Sequence, residues 1–271
     1  MGAELSSYLL ALLARGEVVF SSQEAEQTLG LGHGAFLDAA ERLQKQKKLV
    51  RLRRGNYVVV PPQFGSWGAP PPSWYIDALM RHESSPYYVG LLKAAEIHGA
   101  THQAVLEFQI VAEKRMPNIQ VGRSMLSFYY RKQIAPVSQA IADHKTDTGL
   151  MKVSSVELTA LDLLRYRHAS AGLDNVVTVL ADLGEKIDSE KLAALSRAFP
   201  KSVVQRLGHL LDRLGHAGLT QPMLRELLRD QLPPWVELDP EEVAKPELAP
   251  KRIERDKRWN VVVRRNPEVD E

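Results

Sequence analysis

The sequence contains no cysteine. That excludes a disulfide scaffold, a thiolate nucleophile and a cysteine-ligated zinc, and it fits a reducing compartment. Long hydrophobic runs are lacking as well. No stretch approaches the roughly 20 apolar residues of a membrane span, so no membrane partner and a cytoplasmic location are expected. The short apolar run at residues 8–14 follows Glu4 rather than a basic region, and reads as a core helix, not a signal peptide. Nor is there a large excess of charge of either sign. The 35 Lys and Arg against 33 Asp and Glu leave a net +2, which excludes a histone-like polybasic protein. Any nucleic-acid binding must then come from a local cluster. What is present is ordinary for a folded chain: 271 residues, 44% hydrophobic and 25% charged, enough for a buried core and for more than one domain.

The clearest boundary is residues 61–73, PPQFGSWGAPPPS, with five Pro and two Gly in thirteen residues. Proline fixes φ and removes a donor, so neither helix nor central strand is expected there. The expected organisation is a small domain over residues 1–62 and a semi-rigid, partly extended linker over 63–73. A larger α+β domain over 74–232 and a charged tail over 233–271, with one β-like run at 259–264, complete it.

Within the first domain, Leu5, Leu9, Leu12 and Leu13 recur at helical spacing. Ser21 with Glu24 three residues later forms a capping box opening a short second helix, and Gly30 suits its left-handed end. A third helix from about residue 32 to 47 puts Phe36, Ala40 and Leu43 on one face. The period then changes to two: Val50 and Leu52 are expected inside, Arg51 and Arg53 outside. Gly55 is expected to supply the positive φ of a type II′ turn before a second strand at 57–60. Helix, short helix, longer helix and hairpin is the order of a winged helix-turn-helix.

Charge collects at the end of that pattern. Arg42, Lys45, Lys47, Lys48, Arg51, Arg53 and Arg54 fall within thirteen residues that contain no acid. Such a cluster is suited to duplex phosphates, each neutralised phosphate releasing a counterion. Arg53 and Arg54 are expected at the wing tip. His33 lies near the start of helix three, and Ser22 and Gln23 open helix two, positions from which such motifs touch DNA. Asp38 and Glu41, on the outer face of helix three, are unwelcome beside phosphates. They would either accept from a cytosine amine or pair along the helix with Arg42 and Lys45.

After the linker, residues 74–82 and 86–99 read as helices, and 104–112, 119–122, 124–132 and 150–153 as β-like. Ser154 with Glu157 offers a second capping box. Helical patterns then fill 173–183, 189–199, 202–215 and 220–229, giving a small sheet and a helical C-terminal half. Catalytic signatures are missing. There is no H-E-x-x-H, Walker A, G-x-G-x-x-G or G-x-S-x-G. His98 and His102 are four apart, but Gly99 interrupts the helix that would align them. Glu107, Glu113 and Arg115 make only a weak nuclease-like pattern. The expectation is a protein that is not an enzyme and takes no cofactor or metal.

Three segments carry a resemblance: LVRLRRGNYVV at 49–59, PYYVGLLKAAEIHGATHQ at 86–103 and VSSVELTALDLL at 153–164. Together they resemble the AbiEi-type antitoxins, the transcription-regulating partners of AbiEii nucleotidyltransferase-like toxins in bacterial abortive-infection systems. The resemblance covers residues 5–229. It implies a winged domain that binds inverted repeats in operator DNA and represses its own operon. It also implies a second domain that antagonises the toxin, a phage-defence role, with no stable toxin complex required. It places Arg51, Arg53, Arg54 and Asn56 at the DNA. Tyr87, Tyr88, His98 and Asp162 stand in its second-domain signatures, where a packing role is the expectation. Two alternatives are a stand-alone repressor with a ligand-sensing second domain and an enzyme acting on nucleic acid.

Overall fold

The structure, a computed structural model, describes residues 2–101, 105–229, 231, 233–243 and 253–268. It is a mixed α+β chain whose residues cluster into two compact units. One is drawn from Met1–Val89, Leu106–Ile134 and Asp143–Lys152, the other from Gly90–Val105, Ala135–Ala142 and Val153–Glu271.

The first unit opens with α1 (Gly2–Ala14), β1 (Val19–Ser21), α2 (Ser22–Leu29), α3 (His33–Lys45), β2 (Leu49–Arg53) and β3 (Asn56–Val59). The strands form an antiparallel sheet in the order β1-β3-β2. This arrangement is compatible with a winged helix-turn-helix. The leucine stripe of α1 and the Phe36, Ala40 and Leu43 face of α3 meet in one core with Phe20, Leu49 and Tyr57. The capping box forms as expected. Ser21 Oγ accepts the Glu24 N–H at 3.1 Å, and the Glu24 carboxylate accepts the Ser21 N–H at 2.8 Å. Gly30 ends α2 at φ 61°, the left-handed region glycine tolerates best. Replacing Ser21 with Ala is expected to lower unfolding stability by about 1 kcal/mol, read from the denaturant midpoint.

The stretch at 61–73, expected to be semi-rigid and partly extended, combines extended backbone at Pro61 with short 3-10 turns. Two 3-10 turns, Pro62–Phe64 and Pro72–Trp74, bracket it. The Phe64 ring sits edge-on to Trp67 and Trp74, and Ala69, Pro70 and Pro72 are buried. The turn at Gly122 packs on this backbone, so closely that a Cβ there would lie 2.5 Å from the Trp67 carbonyl oxygen.

The same unit continues with α4 (Ile76–His82) and β4 (Tyr87–Val89), then β5 (Glu107–Ala112), β6 (Ile119–Val121), β7 (Ser124–Tyr130) and the greater part of β8 (Ile141–Thr146) and β9 (Gly149–Ser154). They make a six-stranded sheet, β6-β7-β5-β4-β9-β8, with β5 and β7 parallel. The expected helix at 86–99 is therefore divided. Tyr87, Tyr88 and Val89 are a fully buried strand paired with β5. A strand buried on both faces shows no alternation, so its sequence imitates a buried helix. The expected β-like run at 104–112 begins at Glu107, and Ala104 lies outside the described residues. β8 was not expected at all; its residues are mostly exposed and polar.

The second unit holds α5 (Leu91–Ile97), α6 (Val156–Arg165), α7 (Leu173–Gly184), α8 (Ser189–Ser196), α9 (Lys201–Arg213), α10 (Gln221–Leu227) and α11 (Pro240–Val243). Its small sheet, β10-β12-β11, joins β10 (Val236–Glu237), β11 (Glu254–Asp256) and β12 (Val261–Val263). The second cap falls one residue later than expected. Ser155, not Ser154, accepts the Leu158 N–H, at 3.3 Å. The Ser154 hydroxyl is buried against the Thr159 hydroxyl instead. Beyond α10 the chain is pinned to α9. Trp259 is fully buried with its ring over Gly208, and its indole N–H donates to the Asp212 carboxylate at 2.7 Å. Among the described residues, no helix is long and apolar enough to cross a membrane.

Candidate nucleic-acid interface

The candidate interface is built on an aromatic core. Phe20 stacks on Tyr57 with centroids 5.8 Å apart, and Phe36 meets Tyr57 edge-on at 5.5 Å. These rings fix α3 against the sheet. They leave His33, Gly34, Leu37, Asp38, Glu41, Arg42 and Lys45 exposed on α3. The hairpin is fixed to α2 as well, since the Ser22 N–H donates to the Gly55 carbonyl at 2.7 Å. That bond ties Ser22 to the wing, while Gln23 is exposed.

The hairpin departs from strict alternation. Leu49 pairs with Val59, Val50 with Val58, Arg51 with Tyr57, and then Arg53 with Asn56. Leu52 is an extra residue, a β-bulge, and it reverses the facing of the residues after it. The buried residues of β2 are thus Leu49 and Leu52, not Val50 and Leu52. Strand β3 is buried on both faces, with Tyr57, Val58 and Val59 all at or below 2% exposure. The turn also differs from expectation. Among its two central residues Gly55 is the one at positive φ, 79°, and it stands second. A type II′ turn needs the positive φ first.

These shifts separate the two strand arginines. Arg51 shares a face with Tyr57 and is exposed. Burial raises the pKa of the Tyr57 hydroxyl, and the nearby Arg51 charge opposes it. Arg53 does not stand free at the wing tip. Its guanidinium donates to the Pro117 carbonyl at 2.8 Å, lies 5.1 Å over the Phe128 ring and approaches Glu83 at 3.7 Å. Arg54 is exposed at the tip, and Asn56 is half-buried beneath it.

On α3, Lys45 pairs with Glu41 at 2.7 Å, and this contact holds the Glu41 carboxyl below its ordinary range. His33 is committed to Glu26 at 2.7 Å. Arg42 donates to the Asp38 backbone carbonyl, not to its carboxylate. The acids of α3 therefore do not cancel the whole cluster. Arg42, Lys47, Lys48, Arg51 and Arg54 are exposed and make no ion pair among the described residues. Lys47 takes a left-handed φ of 57° where the chain turns from α3 into β2.

The other candidates are placed in structural roles or apart. Tyr87 donates to Asp77, Tyr88 and Asp162 are fully buried, and His98 contacts the Ser154 carbonyl. Glu113 accepts the Ile134 N–H, Tyr129 donates to Glu107, and Arg115 lies over Tyr130. Each of the three weak nuclease candidates is thus occupied by a different partner. His102 lies outside the described residues. Among the described residues no group of three or more His, Asp or Glu side chains is placed to hold a metal.

Sequence reasoning missed Glu83, Pro117 and Phe128. They lie far from Arg53 along the chain, and the available signal was the local excess of cations without a compensating acid.

The family model described as "Transcriptional regulator, AbiEi antitoxin" matches residues 7–60. The one described as "AbiEi antitoxin C-terminal domain" matches residues 88–213. The crystal structure of the RV2827C protein from Mycobacterium tuberculosis superposes with a TM-score of 0.69 at 18% identity, covering 96% of this chain and 91% of that one. At that identity the likeness speaks for the fold alone. A search of curated proteins gave no match. With its regulator and C-terminal regions matched in order, the chain belongs to the AbiEi family of antitoxins and transcriptional regulators.

Proposed function

We propose that residues 1–62 form a winged helix-turn-helix that binds duplex DNA, and that the protein represses its own operon while antagonising a nucleotidyltransferase-like toxin. The observation that carries the DNA-binding part is the set of exposed cations with no ion-pair partner among the described residues at the end of α3 and along the hairpin: Arg42, Lys47, Lys48, Arg51 and Arg54. Phosphate contacts from such side chains supply affinity and fix register without reading sequence. Base reading would fall to the exposed start of α3 around Gly34 and to Gln23, since His33 is held by Glu26. Family membership supports the antitoxin part. No catalytic role is proposed.

A reporter driven by the DNA upstream of the protein's own coding sequence tests the repressor role. Expression of the protein is expected to lower reporter output, and output unaltered by expression contradicts self-repression. Co-expression with a neighbouring nucleotidyltransferase-like gene product is expected to restore growth. Failure to do so removes the antitoxin assignment and favours a stand-alone repressor.

A further inference from the structure

We infer that Arg53 is a positioning residue, a latch that holds the wing in its DNA-binding orientation through the Pro117 carbonyl, the Phe128 ring and the Glu83 charge rather than touching DNA. The inference rests on the DNA-binding reading above. Strand β2 is the edge strand of its sheet, hydrogen-bonded within it to β3 alone, yet affinity through Arg51 and Arg54 requires them to meet phosphates at fixed spacing. The Leu52 bulge turns Arg53 away from Arg51 and onto the opposite face of β2, where that strand lies against β6.

Three contacts converge on the guanidinium there: the Pro117 carbonyl at 2.8 Å, the Phe128 ring at 5.1 Å and Glu83 at 3.7 Å. The side chains of Arg53 and Glu83 are only 16% and 14% exposed. A guanidinium so enclosed presents little to a phosphate. Glu83 is itself fixed by Lys114 at 2.6 Å, whose backbone N–H donates to Ser85. The anchor therefore includes the end of α4 and the chain after β5, and is not a passing surface pair. A planar fork that stacks and hydrogen-bonds at once suits arginine and not lysine.

The test compares Arg53→Met, Arg53→Lys, Glu83→Gln and Arg54→Ala in the full chain, on the duplex upstream of its own coding sequence across a salt series. Arg53→Met and Glu83→Gln are expected to weaken binding about tenfold at fixed salt and to leave the salt slope unchanged. Arg54→Ala is expected to flatten the slope by about 0.9. Hydrogen exchange without DNA supplies the second readout: amides of residues 53–57 should exchange faster in Arg53→Met and Glu83→Gln. Arg53→Lys, which keeps charge and stem, shows the same pattern if Arg53→Met does not fold. A slope that falls with Arg53→Met as it does with Arg54→Ala makes Arg53 a phosphate contact and overturns the inference. Unchanged exchange in the hairpin overturns it as well. Failure of the DNA-binding reading is seen separately, as wild-type protein that leaves every duplex unbound.

Discussion

Trp259→Ala is expected to destabilise the second unit by about 3–5 kcal/mol, the range for emptying a buried large aromatic site. The indole is fully buried, and no polar edge is left unsatisfied, because its N–H donates to Asp212. Asp212 also forms an ion pair with Arg258 and accepts from the Thr220 hydroxyl, so one carboxylate gathers the segment after β11, the start of α10 and α9 itself. Removing the ring leaves a cavity over Gly208 and deprives Asp212 of one donor. Against a total stability of roughly 5–15 kcal/mol for a typical domain, that loss is large. Gly208→Ala approaches the same contact from the other side. A Cβ at that position would lie 2.3 Å from the indole ring. Overpacking of this kind costs about 1–3 kcal/mol. Chemical denaturation of the full chain checks both. A midpoint unchanged by Trp259→Ala would mean that the C-terminal segment is not part of the cooperative core.

The features legible in the sequence were local and periodic. The α1 stripe, the α3 core face, the Ser21 capping box and the left-handed Gly30 each depend on residues within one or two turns of each other, and each is in place. Adjacent serines defeated the second cap, because Ser154 and Ser155 both satisfy the pattern and only burial decides which hydroxyl faces the helix. Tyr87–Val89 misled through lack of alternation. The bulge at Leu52 has no glycine to announce it. Its consequence, Arg53 turned toward Glu83, depends on side chains tens of residues away. Seven cations without an acid looked like one surface; the fold withdraws Arg53, pairs Lys45 with Glu41 and leaves the remainder exposed.

That remainder carries the second large prediction. Charge reversal at the hairpin, Arg51→Glu with Arg54→Glu, is expected to abolish measurable duplex binding at physiological salt while the fold persists. On the proposed DNA-binding reading, each exposed substitution replaces a counterion-releasing contact by repulsion. Both side chains are exposed, so the expected stability change is within about 0.5 kcal/mol. Thermal unfolding distinguishes lost binding from lost structure.

The most direct measurement is the dependence of duplex affinity on salt for the wild-type chain and for Arg51→Ala with Arg54→Ala. Wild-type affinity is expected to fall steeply as salt rises, and the double variant is expected to show a log–log slope shallower by about 0.9 for each side chain removed. Equal slopes for the two proteins would contradict a hairpin that meets the phosphates.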